Sequence, residues 1–200
     1  MSDLQGPAGN YYDKYNSKNP IAAALVRSFL EQTRQILTRV APTSIFDAGC
    51  GEGHVTARFA QWFPSAEITG ADVDPGVVAQ AQQLHKSIPF QVASIYRVPF
   101  ADRSFDLTVA MEVLEHLERP DQAMNELVRL ARRYVLLSVP NEPIWRMANM
   151  ARGAYLSQWG NTPGHINHWS SGAFIRFVQR WGTVEAVAKP FPWTIVLLRI

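Results

Sequence analysis

The sequence has a single cysteine, Cys50. This excludes an intramolecular disulfide and any zinc site built from several cysteines. Long apolar runs are also missing, and none approaches the length of a membrane span. The opening stretch "MSDLQGPAGNYYDKYNSKNP" has no apolar core flanked by basic residues, so it does not read as a signal peptide. A soluble, cytoplasmic protein is the expectation. Charge of one sign is scarce: 19 Lys and Arg face 17 Asp and Glu, a formal net charge of +2. That balance does not call for a polyanionic partner. The densest basic run, "RLARRY" at 129–134, falls at a predicted helix end, where arginines complement the helix dipole. Internal repeats and low-complexity linkers are absent.

Apolar residues are plentiful enough for one sizeable core. Of 200 residues, 47% are hydrophobic and 18% charged, the balance of a single globular domain over 1–200. Residues 1–40 read as a polar arm followed by a helix. The arm carries Tyr11, Tyr12 and Tyr15, and "NPIAAALVRSFLEQTRQILTRV" predicts an amphipathic helix. Asn19 is placed to cap it, Pro20 suits the first turn, and Leu25, Phe29 and Ile36 share a face. The stretches "SIFDAG", "AEITGAD", "PFQVAS", "FDLTVAM" and "YVLLSV" predict strands. Helices "HVTARFAQWF", "PGVVAQAQQLHKS" and "DQAMNELVRLAR", the last capped by Asp121, are interspersed among them. Strands without strict alternation, separated by helices, predict a parallel sheet covered on both faces.

Beyond Pro140 the pattern changes. Residues 141–170 are rich in Trp, Met, Asn and Gly and contain no clean strand. So long a stretch predicts an insertion, or lid, over a substrate pocket. "SSGAFIRFVQRWG" predicts a helix, and "TVEAVAK" and "WTIVLLRI" predict two closing strands. The whole reads as an α/β doubly wound sheet of about seven strands.

The most informative stretch is "FDAGCGEGHVT" at 46–56. Gly49, Gly51 and Gly53 alternate just after a predicted strand, and Asp47 lies two residues before the first. In open α/β sheets, ligands bind outside the carboxyl ends of the strands. Glycines there let a ligand approach the backbone and permit positive φ. The spacing is G-x-G-x-G, not the G-x-G-x-x-G of dinucleotide folds. A carboxylate at Asp47 repels a pyrophosphate and attracts a cation, which favours a ligand with an ammonium group and no phosphate. The next strand ends in "GADVDP". Asp72 there lies about 20 residues after the glycines, where an acidic side chain accepts from ribose hydroxyls. Asp74, before Pro75, reads as the cap of the following helix. Cys50 fits the turn as a small residue rather than as a catalytic thiol.

With these residues in place, the chain resembles the class I S-adenosylmethionine-dependent methyltransferases, of the small kind called methyltransferase type 11. The resemblance rests on "FDAGCGEG", "GADVDP" and "YRVPFADRSFDLTVAMEVLEHLERPDQAMNELVRL", and it covers residues 44–140. It implies a Rossmann-like sheet whose last strand is antiparallel. It also implies S-adenosyl-L-methionine as cofactor and S-adenosyl-L-homocysteine as product. By position, Asp47, Gly49, Gly51 and Gly53 would hold the methionine end, Asp72 the ribose, and Val73 would lie against the adenine. Ser94 stands where similar proteins carry an acidic residue for the adenine amine. Ser94 and the backbone of Ile95 would make that contact instead. Met111 and Glu112 would line the methionine portion. Tyr15, with Tyr11 and Tyr12, resembles tyrosines that close over the cofactor in some relatives; anchoring of the arm is the other reading.

A sulfonium methyl is already activated, so the protein's work is to align the nucleophile and exclude water. Attack by oxygen requires loss of a proton, which suits a histidine near neutral pKa. His116 in "EVLEHL", and His165 and His168 in "NTPGHINHW", are the candidate catalytic residues. A structural role competes for His116, and hydrogen bonding within the lid competes for the other two. No acidic residue neighbours His165 and His168 in the sequence, so no metal site is expected. His54 and His85 fall on predicted helices, as structural or solvent-facing residues. Trp145 and Trp169, with Met147, Met150, Tyr155 and Trp159, would wall an apolar pocket, and Asn141 would orient an acceptor hydroxyl. The expected partner is a small-molecule methyl acceptor, aromatic or lipid-like and methylated at oxygen, served by a monomer or homodimer. No feature points to nucleic acid. The rival readings are a non-catalytic cofactor-binding protein, a methylase of RNA or protein, a nicotinamide oxidoreductase and a cyclase.

Overall fold

A computed structural model describes residues 19–151, 153, 159–162 and 164–200. Tyr11, Tyr12, Tyr15 and Tyr155 lie outside these residues. Helix α1 runs Pro20–Val40. The Asn19 side chain accepts from the N–H groups of Ile21 and Ala22, and Pro20 sits where a helix needs no N–H partner. Val26, Phe29, Thr33, Ile36 and Leu37 form its buried stripe.

The chain then alternates: β1 (Ser44–Ala48), α2 (His54–Trp62), β2 (Glu67–Asp72), α3 (Pro75–Leu84) and β3 (Phe90–Val92). Next come β4 (Phe105–Met111), a single 3-10 turn at Leu114–His116, α4 (Pro120–Leu130) and β5 (Ala131–Pro140). The described elements end with α5 (Glu142–Ala151), α6 (Ser171–Val178), β6 (Thr183–Ala188) and β7 (Trp193–Arg199). Seven strands form one sheet in the order β3-β2-β1-β4-β5-β7-β6. Strands β1 to β5 pair in parallel, and β7 runs antiparallel to β5 and β6. This is the expected doubly wound sheet with an antiparallel last strand.

Because side chains alternate along a strand, each buried strand feeds two cores. Ile45, Leu107, Leu136 and Leu197 pack with Phe29, Leu37 and Phe59 of α1 and α2 on one face. Phe46, Ala110, Leu137 and Val196 pack with Met124, Leu127 and Phe174 of α4 and α6 on the other. Both faces are therefore covered. Among the described residues, no helix is long and apolar enough to cross a membrane.

Two local expectations need correction. Helix α4 starts one residue earlier than expected, and no side chain caps it. Asp121 lies inside its first turn and pairs with Arg180 across 2.5 Å. The basic run does not form a helix end throughout, because Ala131–Tyr134 already belong to β5. Arg129 instead clamps Glu126, Asp102 and the carbonyls of Val98 and Phe100. Arg132 pairs with Asp106 at 3.3 Å. A guanidinium offers five donors in a fixed fork, and here they hold down the loop between β3 and β4.

The strand order fixes the crevice. From β1 the chain winds outward to β2 and β3, then returns to place β4 on the other side of β1. The reversal lies between the carboxyl ends of β1 and β4, where α/β sheets bind their ligands.

Candidate active site

The glycine turn leaves β1 at this reversal. Gly49, Gly51 and Gly53 adopt φ of 74°, 54° and 79°, in the left-handed region that side chains disfavour. A Cβ on Gly49 would lie 2.6 Å from a methyl of Val113. The turn therefore packs directly on the loop after β4, and no larger residue fits there. Its carbonyl-facing side is tied down as well: the N–H groups of Gly49 and Cys50 both donate to the Ala71 carbonyl. Burial of Cys50 pushes its thiol well above the ordinary range, with Asp47 and Asp72 adding to the shift. An inert structural cysteine is the result.

Asp47 is 2% exposed. Burial pushes its carboxyl up to about 7, against a lowering bond from the Thr56 hydroxyl and a raising field from Asp72. That bond measures 2.6 Å. A carboxyl poised this way gains much from a cationic neighbour, because a positive charge favours its ionised form. At the end of β2, Asp72 accepts from the N–H of Gly51 at 3.0 Å and of Asp74 at 3.1 Å. A carboxylate accepts about four hydrogen bonds, so capacity remains for two hydroxyls. Asp74 caps α3 through the N–H groups of Gly76 and Val77. Val73 and Ile95 are half-buried, and the Ser94 side chain accepts from the Tyr96 N–H at 3.3 Å.

The loop after β4 supplies the wall between the two ends of the site. Met111 is buried. Glu112 holds φ at 61°, a costly conformation for a residue with a side chain. Ser138 of β5 pins it from both sides: its carbonyl accepts from the Glu112 N–H at 3.1 Å, and its hydroxyl donates to Glu112 Oε1 at 2.8 Å.

Beyond this wall residues 164–167 are strapped to the 3-10 turn. Ile166 and Asn167 donate their N–H groups to the Glu115 carbonyl at 2.9 and 3.0 Å. The Asn167 side chain donates to the carbonyls of Leu114 and Leu117. His116 Nδ1 meets the Gly164 carbonyl at 2.9 Å. The strap sets the rings of His116 and His165 with centroids 4.9 Å apart. His165 Nδ1 in turn contacts Glu142 Oε1 at 2.5 Å, with both residues buried. The second oxygen, Glu142 Oε2, has no hydrogen-bond partner among the described residues, and His168 Nδ1 stands 3.7 Å from it. A carboxylate behind Nδ1 fixes the tautomer and leaves the lone pair on Nε2, the arrangement of a general base.

With the glycine turn, Asp72 and the post-β4 loop on one crevice, the chain can be compared with known proteins. Residues 46–138 match the family model described as a methyltransferase domain. Over those residues the chain is similar to a methyltransferase domain. It is 32% identical over 99 residues to an uncharacterized methyltransferase of Schizosaccharomyces pombe, covering 44% of this chain and 36% of that protein. An O-methyltransferase of Aspergillus sclerotiorum is 29% identical over 131 residues, covering 61% and 48%. The match thus spans less than half the length of these relatives. The solved magnesium protoporphyrin IX methyltransferase of Synechocystis, with SAH bound, superimposes with a TM-score of 0.70 at 17% identity. It covers 93% of this chain and 90% of that one, so the methyltransferase fold extends over nearly the whole molecule.

Within this methyltransferase domain the structure gathers most of the residues singled out in the sequence. Asp47, the three glycines, Asp72, Met111 and Glu112 border the reversal between β1 and β4, and His116, His165 and His168 lie near one another. The aromatic wall is divided. Trp145 donates to the Thr162 hydroxyl at 2.8 Å and lies between Trp193 and His165. The Trp169 ring packs on Phe174 and Phe177 of α6. Met147, Met150 and Trp159 are exposed along a groove of about 600 Å³ that begins at Glu142 and His168. Asn141 donates its N–H to the Pro192 carbonyl. His54 and His85 face each other with ring centroids 6.0 Å apart.

Sequence reasoning missed Glu115 and Glu142. His165 and His168 have no acidic neighbour in sequence, yet folding brings Glu142 to both. The available signal was position: Glu142 follows the end of β5 directly, beside Asn141, on the ligand-binding edge of the sheet.

Proposed function

We propose that this chain transfers a methyl group from S-adenosylmethionine to a hydroxyl of a small, partly apolar acceptor. The observation that carries the reading is the buried His165–Glu142 contact beside His116, on the edge that also bears the glycine turn and Asp72. S-adenosylmethionine, when bound, supplies a methyl on positively charged sulfur and leaves as S-adenosylhomocysteine.

The residues present fit this cofactor. Asp47 and the turn at Gly49, Gly51 and Gly53 take the methionine end, and a carboxyl near 7 is matched by cationic charge. Asp72 takes the ribose hydroxyls, and Val73, Ser94 and Ile95 border the adenine. Met111 and Glu112 line the path toward the acceptor. On the acceptor side, Glu142 orients His165, whose Nε2 withdraws the hydroxyl proton. His116 and His168 hold the acceptor oxygen, and Asn141 and Trp145 flank it. General-base help of this kind contributes roughly 10²–10⁴-fold. The groove past Glu142, with Met147, Met150 and Trp159 along it, suits the apolar body of an aromatic or lipid-like acceptor. Trp169 supports it from α6.

A labelled-methyl screen over fractions of cell extract, with calorimetry alongside, tests the proposal. Binding of S-adenosylmethionine and S-adenosylhomocysteine but not NAD is expected, together with label recovered in an ether or ester. Tight NAD binding would overturn the reading. Cofactor binding with no transfer to any fraction would mark a non-catalytic cofactor-binding protein, and label in RNA or protein would replace the acceptor class.

A further inference from the structure

We infer that Glu115, His116 and His165 bind one divalent first-row cation, and that this cation holds the acceptor hydroxyl. One ligand atom from each of the three residues lies within 4.8 Å of the other two. Around four-coordinate zinc, with bonds of about 2.0–2.2 Å, ligand atoms stand about 3.4 Å apart. Closing on a cation therefore needs a contraction of at most about 1.4 Å, within reach of side-chain rotation.

Three observations set this group apart from a chance meeting of polar residues. The first is tautomer. The Gly164 carbonyl opposite His116 Nδ1 only accepts, so Nδ1 carries the proton and the lone pair lies on Nε2. Glu142 imposes the same state on His165. Metal-bound histidines have this outer arrangement, the second ring nitrogen donating to a carbonyl or carboxylate. The second is charge: Glu115 and Glu142 are both buried, at 1% and 2% exposure. A divalent cation offsets the cost of burying ionised carboxylates. The third is rigidity. The four hydrogen bonds from Ile166 and Asn167 to the 114–117 turn hold the two histidines together without any ligand.

Two imidazoles and one carboxylate suit zinc, manganese(II) or iron(II) rather than calcium, which prefers oxygen alone. Three protein ligands also leave a position for an outside oxygen. A hydroxyl bound there ionises more easily. Its O–H bond breaks and the proton passes to His168 and solvent. The oxygen lone pair then forms the new O–C bond as the methyl's bond to sulfur breaks. His165 then acts as a ligand rather than as the base. This role rests on the methyl-transfer reading above; binding of the cation does not.

The test is titration of chelator-treated full-length chain with cobalt(II), followed by visible absorption and calorimetry. One equivalent should bind and give the bands of a nitrogen-liganded site. The double variant His116→Ala/His165→Ala should lose at least about 100-fold in affinity, and Glu142→Gln about 10–100-fold, with circular dichroism unchanged. His54→Ala/His85→Ala, which removes the other histidine pair, should bind cobalt like the parent. No saturable binding below millimolar cobalt, or equal binding by the His116/His165 variant, overturns the site. If cobalt binds as expected yet chelated protein transfers label at full rate, the cation's part in transfer falls and the methyltransferase reading stands. If cobalt binds and S-adenosylmethionine does not, the site stands and that reading falls.

Discussion

The crevice at the glycine turn and the histidine cluster share one edge of the sheet but are assembled over different distances along the chain. In the crevice, Asp47 and Thr56 are 9 residues apart, and Gly51 and Asp72 are 21. In the cluster, Glu142 and His165 are 23 apart, Gly164 and His116 48, and Asn167 and Leu117 50. The crevice is made by one strand–turn–helix unit and the strand beside it. The cluster exists only because residues 164–168 fold back onto the turn after β4. Contacts closed over short loops cost little entropy and leave little choice of partner. The cluster needs both a longer closure and a specific strap, so it can be altered while the crevice stays intact.

That separation can be broken or sharpened by experiment. The largest effect is expected from His165→Ala: transfer should slow by roughly 10²–10⁴-fold while calorimetric affinity for S-adenosylmethionine stays unchanged. A parallel loss of cofactor affinity would mean that the two regions are one unit. Asp72→Ala should do the converse. Loss of its hydrogen bonds should weaken cofactor binding by roughly 1–3 kcal/mol, and transfer at saturating cofactor should persist.

Asp47 gives a smaller, pH-dependent effect. Its folded carboxyl titrates near 7, whereas an unfolded one ionises near 4. Between those values the folded state binds the extra proton, so the free protein loses stability as pH rises from about 4 to about 7. A cationic ligand favours the ionised form, so cofactor affinity should climb about tenfold from pH 6 to pH 8. Asp47→Asn should flatten both profiles, as followed by calorimetry and thermal melts; an unchanged pH profile in the variant would exclude Asp47. The smallest effect is expected from Asn167→Ala. It removes two bonds to the 114–117 turn and should cost about 1 kcal/mol, or a few degrees of melting temperature. Transfer should fall with it, and cofactor affinity should not.

Much of the crevice was legible in sequence because each part announces itself locally. Alternate glycines after an apolar run need positive φ, and all three have it. Asp74 before Pro75 reads as a cap and is one. Asn19 before Pro20 behaves likewise. Asp121 failed by the same local rule: α4 begins earlier, and a distant arginine, Arg180, claims the carboxylate. The run at 129–134 failed because a buried strand position outweighs helix propensity once Phe105 pairs with Ala131 and Leu107 with Tyr134. Trp145 and Trp169 read alike in sequence, yet one joins Trp193 and His165 and the other joins the aromatics of α6.

The order of residues settles which segments become strands, turns and helices, and with them the shape of the glycine-turn crevice, since hydrophobic period, caps and glycine conformations act over a few residues. It also presents three histidines, without saying which carboxylates will meet them. The pairing of Glu142 with His165, and the approach of Glu115 and His116 to that pair, arise only when residues 164–168 pack on the turn after β4. Contacts across tens of residues depend on the packed positions of whole elements, and no local pattern encodes those.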